Sequence, residues 1–139
     1  VQPAKTLIAV GRAFVTIAMV VFGVEHFFHP TGLPVVPLAK EMPAWVPGGT
    51  LIDYLTGALL LIAAGSILLN RNARTLVGFL GAWIVVLLAF IYVPVLFTGL
   101  ASSVVGAQIE GVNYFADTLL FGGAVLAAAR TTPGPDLAR

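Results

Sequence analysis

Cysteine is absent from this chain. Its absence removes disulfides, thiolate nucleophiles, CxxCH haem attachment and cysteine-based metal sites. It also excludes the dithiol–quinone chemistry used by some four-helix membrane oxidoreductases. Charge is the second scarcity. Only 9% of the residues are Asp, Glu, Lys or Arg, against about 25% in an ordinary soluble domain. Such a chain lacks the charge to cover a water-facing surface, so lipid must be much of its solvent. No basic cluster of the kind that grips nucleic acid is present, and a net charge of +1 is unremarkable. There is no low-complexity tract and no convincing internal repeat, which argues for a single domain.

What fills the chain is apolar: 59% of the residues are hydrophobic and the mean hydropathy is +1.02. Crossing the ~30 Å hydrocarbon core of a bilayer takes ~20 mostly apolar residues. Four stretches qualify, over 6–28, 51–69, 75–99 and 113–129, the last compatible with a start a turn or two earlier. Lipid offers no partner to an open strand edge, so all four are predicted to be helices. The expected fold is an all-α integral membrane four-helix bundle.

The boundaries carry recognisable punctuation. His29-Pro30 ends the first helix, because proline disfavours helix in the residue before it. Thr50-Leu51-Ile52-Asp53 matches a capping box at the start of the second. Asn70-Arg71-Asn72 reads as a tight polar turn, and Asn113 as the N-cap of the fourth helix. Thr131-Thr132-Pro133-Gly134-Pro135 stops that helix before a short tail. Lys5, Arg12, Arg71, Arg74, Arg130 and Arg139 fall on one side of the spans, and only Lys40 on the other. The positive-inside rule then places both termini in the cytoplasm. The Pro-rich loop between the first two helices and the 101–111 segment then face outward. That loop holds Pro30, Pro34, Pro37, Pro43 and Pro47 among apolar Val35, Val36, Leu38, Met42, Trp45 and Val46. It is expected to lie along the membrane surface and roof the bundle.

Helical residues advance by about 100° each, which sorts every span into faces. Arg12, Thr16, Met19, Gly23 and His26 share one stripe, and Asp53, Gly57, Leu60 and Ala64 another. Gly78, Gly81, Ala82, Ala89 and Tyr92 line up on the third span, and Asn113, Asp117, Ala124 and Ala128 on the fourth. Each stripe mixes small with polar residues, the two kinds that membrane helices turn towards one another. These faces are expected to meet inside the bundle. Pro94 removes one backbone hydrogen bond and is expected to bend the third span.

Sorted by depth, Glu25, His26, His29, Asp53, Tyr92, Asn113 and Asp117 form an expected outer polar cluster. Close carboxylates in a low-dielectric site cannot all ionise cheaply. The cluster suits holding or passing protons, or binding a cation or a polar ligand head. Each member also has a structural explanation. Asp53 fits a cap, and Asp117 is shallow enough to be hydrogen-bonded by Tyr92, His26 or Asn113. Glu25, His26 and His29 read EHxxH, but a metal site needs three or four converging ligands. Two histidines on one turn cannot clamp both faces of a haem. No catalytic residue and no metal is assigned. Arg12 is expected to snorkel, Trp45 and Tyr114 to sit in an aromatic belt, and Trp83 to pack or face lipid.

Three short motifs carry a family resemblance: Phe22-Gly23-Val24-Glu25-His26-Phe27, Pro43-Ala44-Trp45-Val46-Pro47-Gly48 and Tyr54-Leu55-Thr56-Gly57. Together they resemble the DoxX-like family of small bacterial membrane proteins, over about 11–129. The positions that the resemblance carries are Gly23, His26, Phe27, Trp45, Pro47, Tyr54 and Gly57. It implies a four-helix bundle in the bacterial cytoplasmic membrane. The family name comes from a subunit of a thiosulfate:quinone oxidoreductase, and no motif position is a proven catalytic residue.

Three functions compete. The first is an accessory subunit, not catalytic by itself, that stabilises or caps a larger membrane redox complex. It would bind lipid or guard a quinone route. The second is a quinone-linked oxidoreductase component whose outer acids and His26 accept protons. The third is a small proton-coupled transporter using Asp117. Four helices without an inverted repeat are few for alternating access, so it ranks last.

Overall fold

Each apolar run becomes a helix because an apolar solvent leaves the backbone only its own carbonyls as partners. The computed structural model describes residues 2–36 and 40–133. Pro37, Leu38, Gly134, Pro135 and Arg139, invoked above for the roof, the tail and the charge bias, lie outside them. The order is α1 (Gln2–Phe28), α2 (Gly49–Leu68), α3 (Ala73–Leu87), a π-turn (Leu88–Tyr92), α4 (Val93–Leu100) and α5 (Val105–Thr131). The π-turn joins α3 and α4 into one continuous span. The result is four helices long and apolar enough to cross a membrane: Pro3–Phe28, Gly49–Leu68, Ala73–Leu100 and Val105–Thr131. This is the architecture of a multi-pass membrane protein.

The spans run up, down, up and down. α1 packs chiefly on α2, α2 on α3, and the third span on α5. α5 returns to α1 through a sparser contact that closes the bundle. The core is a column of Met19, Leu60, Val77, Leu80, Ile84, Leu87, Ile91 and Val125. One end of the bundle carries the loop between α1 and α2 and is called the loop end here. The other carries Arg71, Arg74 and Arg130 and is called the arginine end.

Several boundaries differ from expectation. α5 begins at Val105, and Asn113 is an exposed residue two turns inside it instead of a cap. The turn before α5 closes on itself. The Val104 N–H donates to Ser102 Oγ at 3.1 Å, and Gln108 Nε2 donates to the Ser102 carbonyl at 2.7 Å. Polar Gln108 and Glu110 interrupt the apolar run and hid this start. α2 begins at Gly49 behind Gly48, with no side-chain cap, so Asp53 is not part of a capping box. Before Pro94 the span widens into the π-turn, closed by Val93 N–H on the Leu88 carbonyl. A proline without a donor is thus absorbed by a local change of helix type. Asn70 and Asn72 both adopt left-handed φ, 51° and 53°, as a tight polar turn requires.

The expected stripes hold for α1 and α2. Thr16, Met19, Gly23 and His26 are buried, as are Asp53, Gly57, Leu60 and Ala64. They fail in part on the other two spans. Ala82 and Ala89 are exposed, and the third span buries Leu80, Ile84, Leu87 and Ile91 instead. On α5 the inward residues are Gly111, Thr118, Gly122, Val125, Ala128 and Ala129. Asn113 and Asp117 are on the surface. On the third span bulky Leu and Ile side chains, not the small alanines, face the core, and on α5 the polar Asn113 and Asp117 lie on the outside.

Candidate functional site

The loop end is organised by His26. Its Nε2 accepts the Val35 N–H at 2.9 Å, which leaves Nδ1 as the donor to the Phe22 carbonyl. Both ring nitrogens are therefore held by backbone, and the imidazole is the neutral tautomer. The Met42 N–H donates to the Thr31 carbonyl at 2.8 Å and the Leu33 N–H to the Lys40 carbonyl at 3.0 Å, which gives the loop a hairpin-like fold. Its Leu33-Pro34-Val35 limb is driven into the bundle, with Leu33 2% and Val35 0% exposed. The Pro34 carbonyl accepts the Tyr92 hydroxyl. Val35 sits at φ 80°, a genuine outlier for a β-branched residue. Such strain costs about 1–3 kcal/mol and persists only where neighbours over-determine it. Here the His26 and Tyr92 bonds on either side of the Pro34–Val35 peptide do so.

Behind this plug lies a buried polar group drawn from three spans. Asp53 is 1% exposed, and neither carboxylate oxygen has a hydrogen-bond partner. Thr118 is fully buried, and its hydroxyl faces the Tyr92 oxygen. The Tyr92 hydroxyl lies beside Thr118 and near enough to Asp53 to interact with it electrostatically. The structure thus brings Asp53 and Tyr92 together, with His26 bound to the same plug. Thr118 was missed from sequence. It lies one residue beyond Asp117, and one residue is 100° of helix, enough to swap the buried and the exposed side chain.

The remaining expected members are elsewhere. Glu25 Oε2 pairs with His29 Nδ1 at 3.0 Å, one turn apart on the exposed side of α1. Asn113 and Asp117 share an exposed face of α5 with Glu110. Asp117 therefore receives no hydrogen bond from His26 or Tyr92, contrary to the inward stripe. The motif positions have packing explanations. A Cβ on Gly57 would come within 2.8 Å of His26 Cβ and 3.1 Å of the Gly23 carbonyl, and one on Gly23 within 2.7 Å of Leu61. Only glycine lets α1 and α2 approach so closely. The Phe27 and Tyr54 rings meet at a tilt across that contact, with centroids 5.7 Å apart. Trp45 and Pro47 are exposed. Lys40 Nζ lies 5.7 Å from the centroid of the Tyr114 ring. Trp83 does more than pack: its Nε1–H donates to Thr56 Oγ1 at 3.0 Å and ties α3 to α2.

Two clefts open towards the arginine end, away from the polar group. One, of about 280 Å³, lies between α1 and α5 against Gly11, Val15, Ala124 and Ala128. Arg12 borders it and donates to the Thr131 carbonyl at 2.6 Å, so this arginine ties two helices together. The other, of about 440 Å³, lies between Arg74 and Arg130 over Gly78, Leu126 and Ala129.

No family model, no curated protein and no solved structure matches the chain. The motif resemblance to the DoxX-like family therefore has no second support.

Proposed function

We propose that the chain is an accessory subunit of a larger membrane complex, held there through α5. One observation carries this reading. Asp117, Asn113 and Glu110 form a polar stripe on the exposed face of a membrane-length helix. If Arg130 marks the cytoplasmic boundary, Asp117 lies about 20 Å further along the helix, well inside a ~30 Å core. Aspartate at the centre of a span costs about 2.5–3.5 kcal/mol on insertion scales, and less towards either boundary. Intramembrane carboxylates accordingly face a bundle interior or a polar partner. A helix of another subunit bearing hydrogen-bond donors would supply one. A second copy would not. Two-fold symmetry about the membrane normal sets the α5 stripes parallel, so Asp117 meets Asp117 and Glu110 meets Glu110.

In this reading the termini are cytoplasmic and the plugged loop faces outward, as the bias of Lys and Arg indicates. The DoxX-like motifs favour a redox complex as the host. With both nitrogens of His26 occupied, the ring is a poor proton acceptor, which weakens the quinone-linked alternative. An exposed Asp117 likewise weakens a transporter built around it.

The test is site-specific. A photo-crosslinking residue at Asn113 is expected to trap one different polypeptide in native membranes, and the same probe at Phe79 is not. Asp117→Leu should abolish that product while leaving the thermal midpoint of the purified bundle unchanged. A crosslink only to lipid or to a second copy would sink the reading.

Lipid supplies a separate expectation. Arg74 and Arg130 flank an apolar-floored groove, the pattern that seats anionic headgroups at a cytoplasmic boundary. Native mass spectrometry of the detergent-extracted chain should show bound anionic phospholipid. The paired substitutions Arg74→Ala and Arg130→Ala should remove most of it. Retention by the double variant would refute the assignment.

A further inference from the structure

We propose that Asp53, Thr118 and Tyr92 form a binding site for one monovalent cation, a proton or a sodium-sized ion, set between three spans behind the Leu33–Val35 plug. This does not rest on the assembly argued from Asp117, which uses the opposite side of α5.

The argument begins with oxygens that lack donors. Asp53 is 1% exposed, yet both its carboxylate oxygens are without hydrogen-bond partners. Most buried polar atoms in folded proteins are paired, so two on one carboxylate require an explanation. The Tyr92 hydroxyl lies within electrostatic range of Asp53 and beside the hydroxyl of buried Thr118, which can donate to its oxygen. It gives its proton to the Pro34 carbonyl, which leaves its oxygen as an acceptor. The site therefore offers oxygen lone pairs from α2, the third span and α5. That is the chemistry of a hard cation.

Charge points the same way. A desolvated carboxylate without compensation costs several kcal/mol. The surrounding charged and titratable groups do not compensate it. His26, from α1, accepts the Val35 N–H and is neutral. Glu25 and His29 pair with each other at the surface. Lys40 is placed over the Tyr114 ring. A single negative charge calls for a single positive one. A proton would sit on one Asp53 oxygen and let it donate to Thr118 or Tyr92. A sodium-sized ion would be held by the same oxygens directly. Among the described residues no three acidic or histidine side chains converge on a metal position, so the set suits a monovalent ion better than a divalent one.

The experiment uses the full chain in detergent. Its thermal midpoint is read in sodium, lithium, potassium or choline chloride at equal ionic strength, and its infrared spectrum is recorded in parallel. If sodium occupies the site, the midpoint rises in sodium over choline. That rise is lost in Asp53→Asn and reduced in Thr118→Val. If a proton occupies it, the wild type shows a carboxylic C=O band that Asp53→Asn lacks, with no dependence on the cation. Should Asp53→Asn not fold, loss or shift of the same signals in Thr118→Val decides the matter. A wild type with neither a carboxylic band nor any cation dependence overturns the proposal. So does an Asp53→Asn variant that keeps the full response.

Discussion

Leucine in place of Gly57 is expected to prevent α1 and α2 from docking. A single Cβ there already falls 2.8 Å from His26 Cβ and 3.1 Å from the Gly23 carbonyl. The second of these neighbours is backbone and cannot rotate away. Overpacking of this kind costs about 1–3 kcal/mol for a small addition, which is the expected loss for Gly57→Ala. Leucine adds a branched side chain to the same gap and should exceed that range. The readout is the thermal midpoint in detergent, with Gly65→Ala as the control, because a Cβ on Gly65 meets nothing within 4 Å. Equal midpoints for Gly57→Ala and Gly65→Ala would show that the close approach is not what holds these helices. The effect should also reach the loop end, since His26 is one of the atoms displaced.

His26→Leu carries the second large effect. It orphans the buried Val35 N–H, a loss of about 1–3 kcal/mol. It also removes one of the two bonds that hold Val35 at φ 80°. The Leu33-Pro34-Val35 limb should then leave the bundle at least part of the time. Hydrogen exchange at the Val35 amide should speed up well beyond any change in the α3 core, and proteolysis within the loop should follow. His26→Gln, whose side-chain oxygen can accept the same N–H, should recover part of the protection. An unchanged Val35 exchange rate in His26→Leu would mean that the plug is held by packing alone. The consequence for the buried carboxylate is direct, because the plug separates Asp53, Thr118 and Tyr92 from the loop end.

The motif residues look different once their contacts are known. Gly23, Gly57, His26, Phe27 and Tyr54 suggested a family and a candidate site. In the fold they serve one task, the docking of α1 on α2 and of the loop on both. His26 drew attention as an ionisable group inside a span, yet its two bonds to backbone make it a clamp. Asp53 was explained as a capping residue, yet it caps nothing and is buried without a partner. The two exchanged roles because ionisable residues were weighed by type and depth. What separates them is whether a donor or acceptor lies within 3 Å, and that depends on segments distant in sequence.

The sequence by itself determined that this is a multi-pass helical membrane protein. Scarce charge and four long apolar runs leave no other way to satisfy the backbone, and proline, asparagine and arginine mark most of the ends. It also determined the inward faces of α1 and α2, where glycine and polar residues alternate with bulky ones. Tertiary structure alone decided the rest. α5 carries polar residues on two faces, Thr118 on one and Asn113 and Asp117 on another, and only its packing on the third span decides that Thr118 faces the interior. A loop rich in proline and valine reads equally well as a surface strap or as a plug. The choice fell to the Nε2 acceptor of His26 and the hydroxyl donor of Tyr92, which reach it from other parts of the bundle.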